Sequence, residues 1–442
     1  MRVRKVVHSN RYSIMKLFNR LLVVAIIVAY SAVSQTAHAQ GVMLRSVGPV
    51  NAAVGGTAVA MPLDASGALY WNPATISALP KNEMTFGLEL IQAHSRVESS
   101  LPTSPNLGPF SGLSGSTKGE SGVIPAPSMA FVWSTSRQSP FTFGFGMAAV
   151  GGAASLYPHE PMLTGNPVLG GFPPLGNSGK SASVVILQVT PTVSAQLTER
   201  WSVGVAPLVD LASLNINPMS LGRAPAPGDA LTTYGTNYVW GGGFQIGTLY
   251  DFQNHFKAGF TFKSPIWAEK LYYTGTNVAG DPATAHYELN LPMTLSWGVS
   301  YDGFRDTVIG MDIRYMDYAN TTGFKKSSHT VVSGLDWESV YSVSVGAERK
   351  INDRLKARAG YCWNENPIPS RSTFSSISAP MIGQHVMSLG FGFTFAKDLE
   401  LSAAYCHVFE AKSTGEIPGL PGSSVTNTLS ADSFFTGITK KW

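Results

Sequence analysis

The chain has 442 residues, of which 13% are charged, 11% are aromatic and 45 are glycine. A water-soluble domain usually has about a quarter of its residues charged, so this composition argues against a surface that faces water everywhere. The formal charge is +4, but residues 1–39 hold six of the 31 Lys and Arg and none of the 27 Asp and Glu, which leaves 25 against 27, or −2. Without a net basic surface, no nucleic-acid partner is expected.

The N-terminus has the three parts of a secretory signal peptide. Basic residues up to Arg20 precede an apolar run over 21–33, and Ala37-His38-Ala39 follows as a small-residue cleavage signal. We therefore expect residues 1–39 to be a cleaved signal peptide that starts at Met1 or Met15. The apolar run is short for a membrane span, and an uncleaved N-terminal anchor is the alternative.

From residue 83 onward the sequence reads as strands. No run of 18 apolar residues follows the leader. An exported chain with few charges can then face lipid as a closed β-barrel, in which every backbone group pairs internally. The candidate strands are 83–98, 127–136, 141–157, 181–198, 201–218, 238–252, 255–272, 285–303, 306–323, 338–351, 354–366, 385–397, 399–412 and 432–442.

Fourteen strands are an even number, as in bacterial barrels whose two termini lie on the periplasmic side. Short turns such as 253–254 alternate with long Gly-, Pro- and Ser-rich segments such as 99–126 and 413–431. Apolar and polar residues alternate along the strands, which is typical of a barrel with lipid outside, and this predicts the bacterial outer membrane. One example sets Phe256, Ala258, Phe260 and Phe262 against Lys257, Gly259, Thr261 and Lys263.

Aromatic residues near the strand ends are expected to form two girdles at the membrane interfaces. The members are Trp201, Tyr250, Tyr301 and Trp442 on the turn side, and Tyr272, Tyr273, Tyr318 and Trp363 on the loop side. Cys362 and Cys406 face inward with one strand between them. Two inter-strand spacings are about 9.5 Å, which is beyond disulfide reach, so we expect free thiols.

The segment ahead of the strands fits neither a long helix nor a strand. Its stretches Gly41 to Leu44, Ala58 to Ala60, Asp64 to Ser66 and Asn72-Pro73-Ala74 resemble the N-terminal hatch of the FadL family of outer-membrane long-chain fatty-acid transporters. Later stretches are similar to the same family: Gly360 to Asn364, Pro367 to Pro369, Ser388 to Phe393 and Leu401 to Tyr405. The resemblance covers essentially the whole chain after the leader.

The resemblance implies an all-β fold, with a 14-stranded antiparallel transmembrane barrel over residues 82–442 and a small hatch over residues 40–81 inside its lumen. It implies passive uptake of hydrophobic molecules, in the first place long-chain fatty acids. In that mechanism the outer loops capture the substrate and a pocket in the lumen binds it. The substrate then leaves sideways through a gap at a kinked third strand. Aromatic or aliphatic hydrocarbons are the alternative substrates, and a general diffusion porin or an outer-membrane lipid hydrolase are alternatives of other kinds.

Two groups of residues are candidates for the hatch and the wall gap. Asn72, Pro73 and Ala74 are expected to latch the hatch to the wall, because proline restricts the residue before it and asparagine stabilises turns. The alternative is an ordinary turn before the first strand. Gly151 and Gly152 are the candidate kink of the third strand, since glycine inside a strand often marks a bulge or bend. They would otherwise make room for the hatch.

Two further groups concern the substrate. Arg314 and Lys263 are candidates for holding a substrate carboxylate, and bidentate geometry favours arginine for that role. The alternative is a salt-bridge network in the lumen. The inward charges are Lys257, Lys263, Asp312, Arg314, Glu348, Lys356, Arg358 and Glu400. A hydrophobic capture surface on the loops is expected at Leu107, Phe110, Leu163 and Phe172, with ordinary loop packing as the alternative.

No enzymatic chemistry is expected. The chain has no G-x-S-x-G nucleophile motif, and its nine histidines show no metal-ligand spacing. We therefore predict no catalytic residue, no metal and no cofactor. The expected partners are a hydrophobic small molecule and the outer-membrane lipids, and the chain is expected to act as a monomer.

Overall fold

The computed structural model describes residues 40–136, 139–161, 163–170, 179–217, 232–233, 237–276, 281–326 and 335–442. The predicted signal peptide, residues 1–39, lies outside the described residues. Within these ranges no helix has the length and apolar character needed to cross a membrane.

Fourteen described strands form the wall, and each pairs antiparallel with its neighbours in the chain. They are β1 Glu83–Ser100, β2 Val123–Ser134, β3 Phe141–Tyr157, β4 Lys180–Gln196, β5 Trp201–Asn217, β6 Asn237–Asp251, β7 Phe256–Lys263, β8 Thr294–Phe304, β9 Thr307–Met316, β10 Val340–Lys350, β11 Leu355–Asn364, β12 His385–Ala396, β13 Leu399–Ile417 and β14 Leu420–Lys441. The first strand also pairs with the last, so the sheet closes on itself. The predicted 14-stranded barrel is confirmed.

The bounds of several predicted strands are wrong. The eighth, 285–303, begins at Thr294, and the ninth, 306–323, ends at Met316. The seventh predicted strand, 255–272, ends at Lys263, because Pro265 follows and cannot donate to a ladder. The short strands Leu271–Thr276 and Pro282–Tyr287 then pair as a separate hairpin. The segment 413–431, predicted as a loop, is instead the outer part of the β13–β14 hairpin. Its strands are rich in polar residues, so they lack the apolar alternation by which the other strands were recognised.

The wall turns its apolar residues outward, as the alternation predicts. On β1, Phe86, Leu88 and Leu90 are 44%, 38% and 41% exposed, whereas Thr85 and Glu89 on the other face of the strand are buried. Polar residues of the wall therefore line the lumen, and an apolar band faces outward.

The residues predicted for the aromatic girdles differ in exposure. Trp201, Trp442 and Tyr272 are exposed, as expected for the interfaces. Tyr273 and Tyr318 are buried instead, and their hydroxyl groups donate to the Leu214 and Gln40 carbonyl oxygens, both at 2.8 Å. The prediction was wrong for Tyr318 because β9 ends at residue 316, so the strand alternation no longer sets the direction of later side chains.

The hatch segment contains two short α-helices and a 3-10 helix, all packed inside the barrel. Helix α1 is Gly48–Ala53 and helix α2 is Ala65–Trp71. Asp64 caps α2, since its Oδ1 accepts a hydrogen bond from the Gly67 amide at 3.2 Å. The 3-10 helix is Pro73–Ala78. Each α-helix has at most two turns, too few for a helical period to show in the sequence.

Wall glycines let the hatch backbone approach to contact distance. A Cβ atom at Gly360 of β11 would lie 2.1 Å from the Gly55 nitrogen, and one at Gly346 of β10 would lie 2.3 Å from the Val54 oxygen. Gly310 of β9 pairs with Gly346, which pairs with Gly360, so the three form one row across the wall. A side chain at Gly346 or Gly360 would overlap the hatch backbone, and one at Gly310 would press on the side chains of Thr57 and Met61, so the seating of α1 depends on this row.

We predict that Gly360→Ala loosens the hatch without preventing barrel assembly. The added methyl group overlaps the backbone of Gly55, and overpacking of this kind costs about 1–3 kcal/mol. Hydrogen exchange of the α1 amides should become faster. Gly242→Ala is the matched control, because a Cβ atom at Gly242 would have no neighbour within 4 Å. Equal exchange in the two variants would contradict the prediction.

Candidate functional site

Asn72 joins the hatch to the wall. Its Nδ2 donates to the Val59 carbonyl oxygen at 2.7 Å and to the Thr248 carbonyl oxygen of β6 at 3.0 Å, and its Oδ1 accepts from the Ala74 amide at 3.0 Å. Gly247 of β6 makes room, since a Cβ atom there would lie 2.0 Å from that Oδ1. The contacts suit the predicted latch, and a role of this latch in transport stays a prediction.

A second tie between hatch and wall comes from β9. Asp312 Oδ2 accepts from the Ala58 amide and from Arg314 Nη2, both at 2.8 Å. The same Arg314 nitrogen donates to the Gly56 carbonyl oxygen at 2.5 Å, and the guanidinium carbon lies 3.6 Å from the centre of the Trp71 ring. Arg314 and Asp312 have fully buried side chains. This cation is therefore engaged by the hatch and by its own strand.

Lys263 of β7 is also engaged by the hatch. Its Nζ donates to the Tyr70 carbonyl oxygen at 3.1 Å and lies 4.2 Å from the centre of the Tyr70 ring. The side chain is buried under α2. Binding of a substrate carboxylate by Arg314 or Lys263 stays a prediction, and it would require the hatch to move away from both cations.

Other inward charges pair with one another across the strands. Arg358 of β11 bonds Glu348 of β10 at 2.7 Å and Glu400 of β13 at 2.8 Å, and Lys356 bonds Glu400 at 2.9 Å. Lys257 faces Asp302 at 3.1 Å near the turn side. These contacts are a salt-bridge network of the kind considered for the lumen.

Two carboxyl groups meet at the start of α2. Asp64 is buried, and Glu83 of β1 accepts a hydrogen bond from the Ala65 amide at 2.8 Å. Burial, in the first place, and the neighbouring Glu83 together raise the pKa of the Asp64 carboxyl to about 7, against the opposing effect of the hydrogen bond from Gly67. The hatch therefore holds a carboxyl group that gains a proton more easily in the docked state than in an unfolded chain.

The ladder between β2 and β3 is incomplete on the loop side. The two strands pair from Ser134 with Thr142 up to Ser128 with Ala148, and both continue beyond that point, β2 paired with β1 and β3 paired with β4. Pro125 in the outer part of β2 lacks an N–H group, and proline within sheets is confined to edges. Residues 123–127 of β2 and 149–157 of β3 therefore face each other without pairing, and we call this place the wall gap.

The hatch occupies the free edge of β3 in this gap. The Leu44 amide donates to the Val150 carbonyl oxygen at 2.8 Å, and the Gly152 amide donates to the Val42 carbonyl oxygen at 3.4 Å. On the opposite edge, the β3–β4 register shifts between Ala149 and Gly151, so a bulge falls at Val150. The bulge adjoins the predicted kink residues Gly151 and Gly152, whose role in substrate exit stays a prediction.

Two adjoining cavities lie between the loops and the wall gap. The loop-side cavity, of about 50 Å³, has almost entirely apolar walls, including Leu214, Phe324 and Trp337. The gap-side cavity, of about 140 Å³, reaches the gap at Ile124 and Gly152. The two cavities share the lining residues Val42, Ala153, Ser378, Ala379 and Met381.

The gap-side cavity also contains groups that the sequence did not single out for binding. Arg45 of the hatch and Glu89 of β1 line it, as do the two thiols, Cys362 and Cys406. Both cysteines are free, as the strand spacing predicts. The alternation along β1 predicts that Glu89 points into the lumen. Arg45 lies in an irregular segment of the hatch, where no periodic pattern could have predicted its direction.

The predicted capture residues have different surroundings. Leu107 and Phe110 are partly buried against an apolar cluster of the loops that includes Leu169 and Phe374. Leu163 is 50% exposed. Phe172 lies outside the described residues. Capture of substrate by these side chains stays a prediction.

The sequence of residues 30–433 matches the family described as Outer membrane protein transport protein (OMPP1/FadL/TodX). The chain belongs to this family. The earlier resemblance to FadL is thereby confirmed.

Curated relatives of the family match parts of the chain. The 47 kDa outer membrane protein of Pasteurella multocida is 23% identical over 214 residues, which cover 42% of this chain and 47% of that protein. The long-chain fatty acid transport protein of Salmonella typhi is 23% identical over 274 residues, covering 52% of this chain and 61% of that protein. The chain thus spans about half the length of the curated relatives it matches.

Solved structures of family members share the fold over nearly the whole chain. The Pseudomonas putida toluene transporter TodX has a TM-score of 0.65 and 17% identity, covering 90% of this chain and 99% of TodX. A Pseudomonas aeruginosa FadL homologue has a TM-score of 0.67 and 15% identity, covering 91% and 99%. At such low identity the match shows that the chain shares the fold of these proteins.

We predict that Asn72→Ala releases the hatch from β6. The variant loses hydrogen bonds to the Val59 and Thr248 carbonyl oxygens and leaves buried groups unpaired, which costs about 1–3 kcal/mol. Protease cleavage between α1 and the 3-10 helix should accelerate, while the heat-dependent gel shift of the folded barrel stays unchanged. Asn254→Ala in the exposed β6–β7 turn is the control. Wild-type protease resistance of Asn72→Ala would contradict the prediction.

A pH dependence of hatch docking follows from Asp64. Because docking raises the pKa of this acid, the proton stabilises the docked hatch, and that contribution is lost as pH rises from the ordinary aspartate range through about 7. Asp64→Asn keeps an N-cap side chain and carries no charge. The variant should therefore resist urea-induced release of the hatch better than wild type above pH 7, and show less advantage in acid. A constant difference across that range would contradict the assignment.

Proposed function

We propose that this chain carries hydrophobic molecules across the outer membrane by diffusion, with long-chain fatty acids as the first candidate substrate. The observation that supports the proposal is the pair of adjoining cavities, which lead from the loops to the wall gap. Family membership supports the same activity, as do relatives named as a long-chain fatty acid transport protein and a toluene transporter.

The loop-side cavity supports the hydrophobic substrate class. Its walls include Val184, Leu214, Ile216 and Leu289, together with the aromatic pair Phe324 and Trp337. Removing apolar surface from water in such a pocket is favourable by about 25 cal/mol per Å², so an alkyl chain or an aromatic ring gains from entering it. In the proposal, substrate collected at the loops binds here first.

The wall gap supports lateral exit in place of passage along the barrel axis. The hatch fills the lumen and is tied to β6 and β9, whereas β2 and β3 share no ladder beside the gap-side cavity. Substrate would pass from the gap-side cavity between β2 and β3 into the membrane. Segment 42–44 of the hatch now pairs with β3 at this place, so it would have to yield. The whole path lies in one barrel, which supports a monomer.

We expect bacteria that lack their own transporter to take up a labelled long-chain fatty acid when they express this protein. Gly152→Phe should reduce uptake to the level of cells without it, because the ring would fill the gap-side cavity at the wall gap. A Cβ atom at Gly152 meets one carbonyl oxygen at 3.6 Å, so the first atom of the new side chain fits without a clash. Gly242→Phe on β6 is the matched control, and full uptake by Gly152→Phe would exclude this exit.

Uptake of toluene by the same cells separates the two substrate classes. Uptake of the fatty acid without toluene supports the first candidate, and the reverse supports the hydrocarbon branch. A general diffusion porin would instead show large, steady single-channel conductance in a planar bilayer. We expect little conductance, because the hatch is hydrogen-bonded across the lumen.

A further inference from the structure

Three enclosed cations have no ion-pair partner among the described residues, namely Arg45, Lys180 and Lys263. Lys263 is held by the Tyr70 carbonyl oxygen, and Lys180 lies 5.6 Å from the centre of the Phe374 ring. Of the three, Arg45 is the one that lines the gap-side cavity. The other lumen arginines, Arg314 and Arg358, each bond a carboxylate.

The Arg45 guanidinium has spare donors inside the barrel. Its Nη2 donates to the Gly383 carbonyl oxygen at 3.0 Å, and its buried Nε has no partner in the described part of the chain. Glu89 lines the same cavity, but the two groups do not come within the 4.0 Å of an ion pair. An enclosed cation that is not paired with a carboxylate is unfavourable, and a bound anion would offset that cost.

The rest of the cavity wall suits the chain attached to such an anion. Ile91, Met381, Val408, Leu429 and Phe435 are among its apolar lining residues. Val42 and Met381 continue into the loop-side cavity, so an alkyl tail can extend from one cavity towards the other. The arrangement places one cation beside a continuous apolar surface.

We propose that Arg45 binds the carboxylate of a hydrophobic acid in the gap-side cavity. A guanidinium carries a planar set of N–H donors that fits both oxygens of a carboxylate. The proposal rests on the proposed function and deepens it, because it selects hydrophobic acids over hydrocarbons. It also gives the carboxylate a site that is open while Arg314 and Lys263 remain covered by the hatch.

The test compares hexadecanoate with 1-hexadecanol, which has the same chain and no charge, on the purified full barrel in detergent. Arg45→Gln should weaken hexadecanoate binding at least about tenfold, the effect of losing a charge-assisted hydrogen bond. Binding of hexadecanol should stay within about twofold of wild type, since its contacts are apolar. Arg45→Lys should retain part of the hexadecanoate affinity.

Two more variants sharpen the comparison. Glu89→Gln removes a like charge from the cavity and should strengthen hexadecanoate binding alone. Arg305→Gln changes an arginine that is 96% exposed in the β8–β9 turn, and it should affect neither ligand. Equal weakening of both ligands by Arg45→Gln, or no weakening of hexadecanoate, would overturn the assignment.

A measurement on the unmutated chain locates the ligand. Cys362 and Cys406 line the gap-side cavity as free thiols, so bound hexadecanoate should slow their modification by a small methanethiosulfonate reagent. Hexadecanoate that binds without protecting the thiols lies elsewhere, which overturns the inference. Binding of hexadecanol but not hexadecanoate overturns the inference and leaves the proposed function standing. Failure of both ligands, and of toluene, to bind would refute the proposed function itself.

Discussion

The structure depends on how closely the hatch backbone can approach the inside of the wall. At Gly346 and Gly360, the wall carries no side chain where Val54 and Gly55 come into contact with it. A chain segment enclosed in a barrel must still satisfy its backbone groups, and the wall supplies partners such as the Asp312 carboxylate. The hatch is therefore held in two ways: glycines of the wall leave space for its backbone, and polar side chains of the wall bond to it.

The need to satisfy backbone groups also explains why the hatch pairs with β3 at the wall gap. Where β2 and β3 separate, the Val150 carbonyl oxygen and the Gly152 amide of β3 would lack ladder partners. Segment 42–44 of the hatch supplies them. Hatch and wall gap are thus one hydrogen-bonded system, because the residues that pair with the edge of β3 belong to the segment that fills the lumen. Unpaired edges of this kind are costly inside a membrane.

The cations of the lumen fall into two groups, those that hold the hatch or the wall together and one that lines a cavity. Arg314 and Lys263 are used to hold α2 and the segment before it, and the Arg358 network braces β10, β11 and β13. Arg45 is left beside open space with a spare donor. A cation that already forms an ion pair gains little from an anionic ligand, whereas a cation without an ion pair gains more. This difference separates the structural cations of the lumen from the candidate binding cation.

The sequence by itself determined the barrel, its fourteen strands and the faces of those strands, because a two-residue period is a local property that each strand carries independently. Strand ends were less certain, as Lys263 and the β13–β14 hairpin show. Only the tertiary structure decided that Arg314 is covered and that Arg45 lines a cavity. Both outcomes depend on contacts between residues far apart in the chain, about 258 positions for Arg314 and Gly56, and no local period reports such contacts.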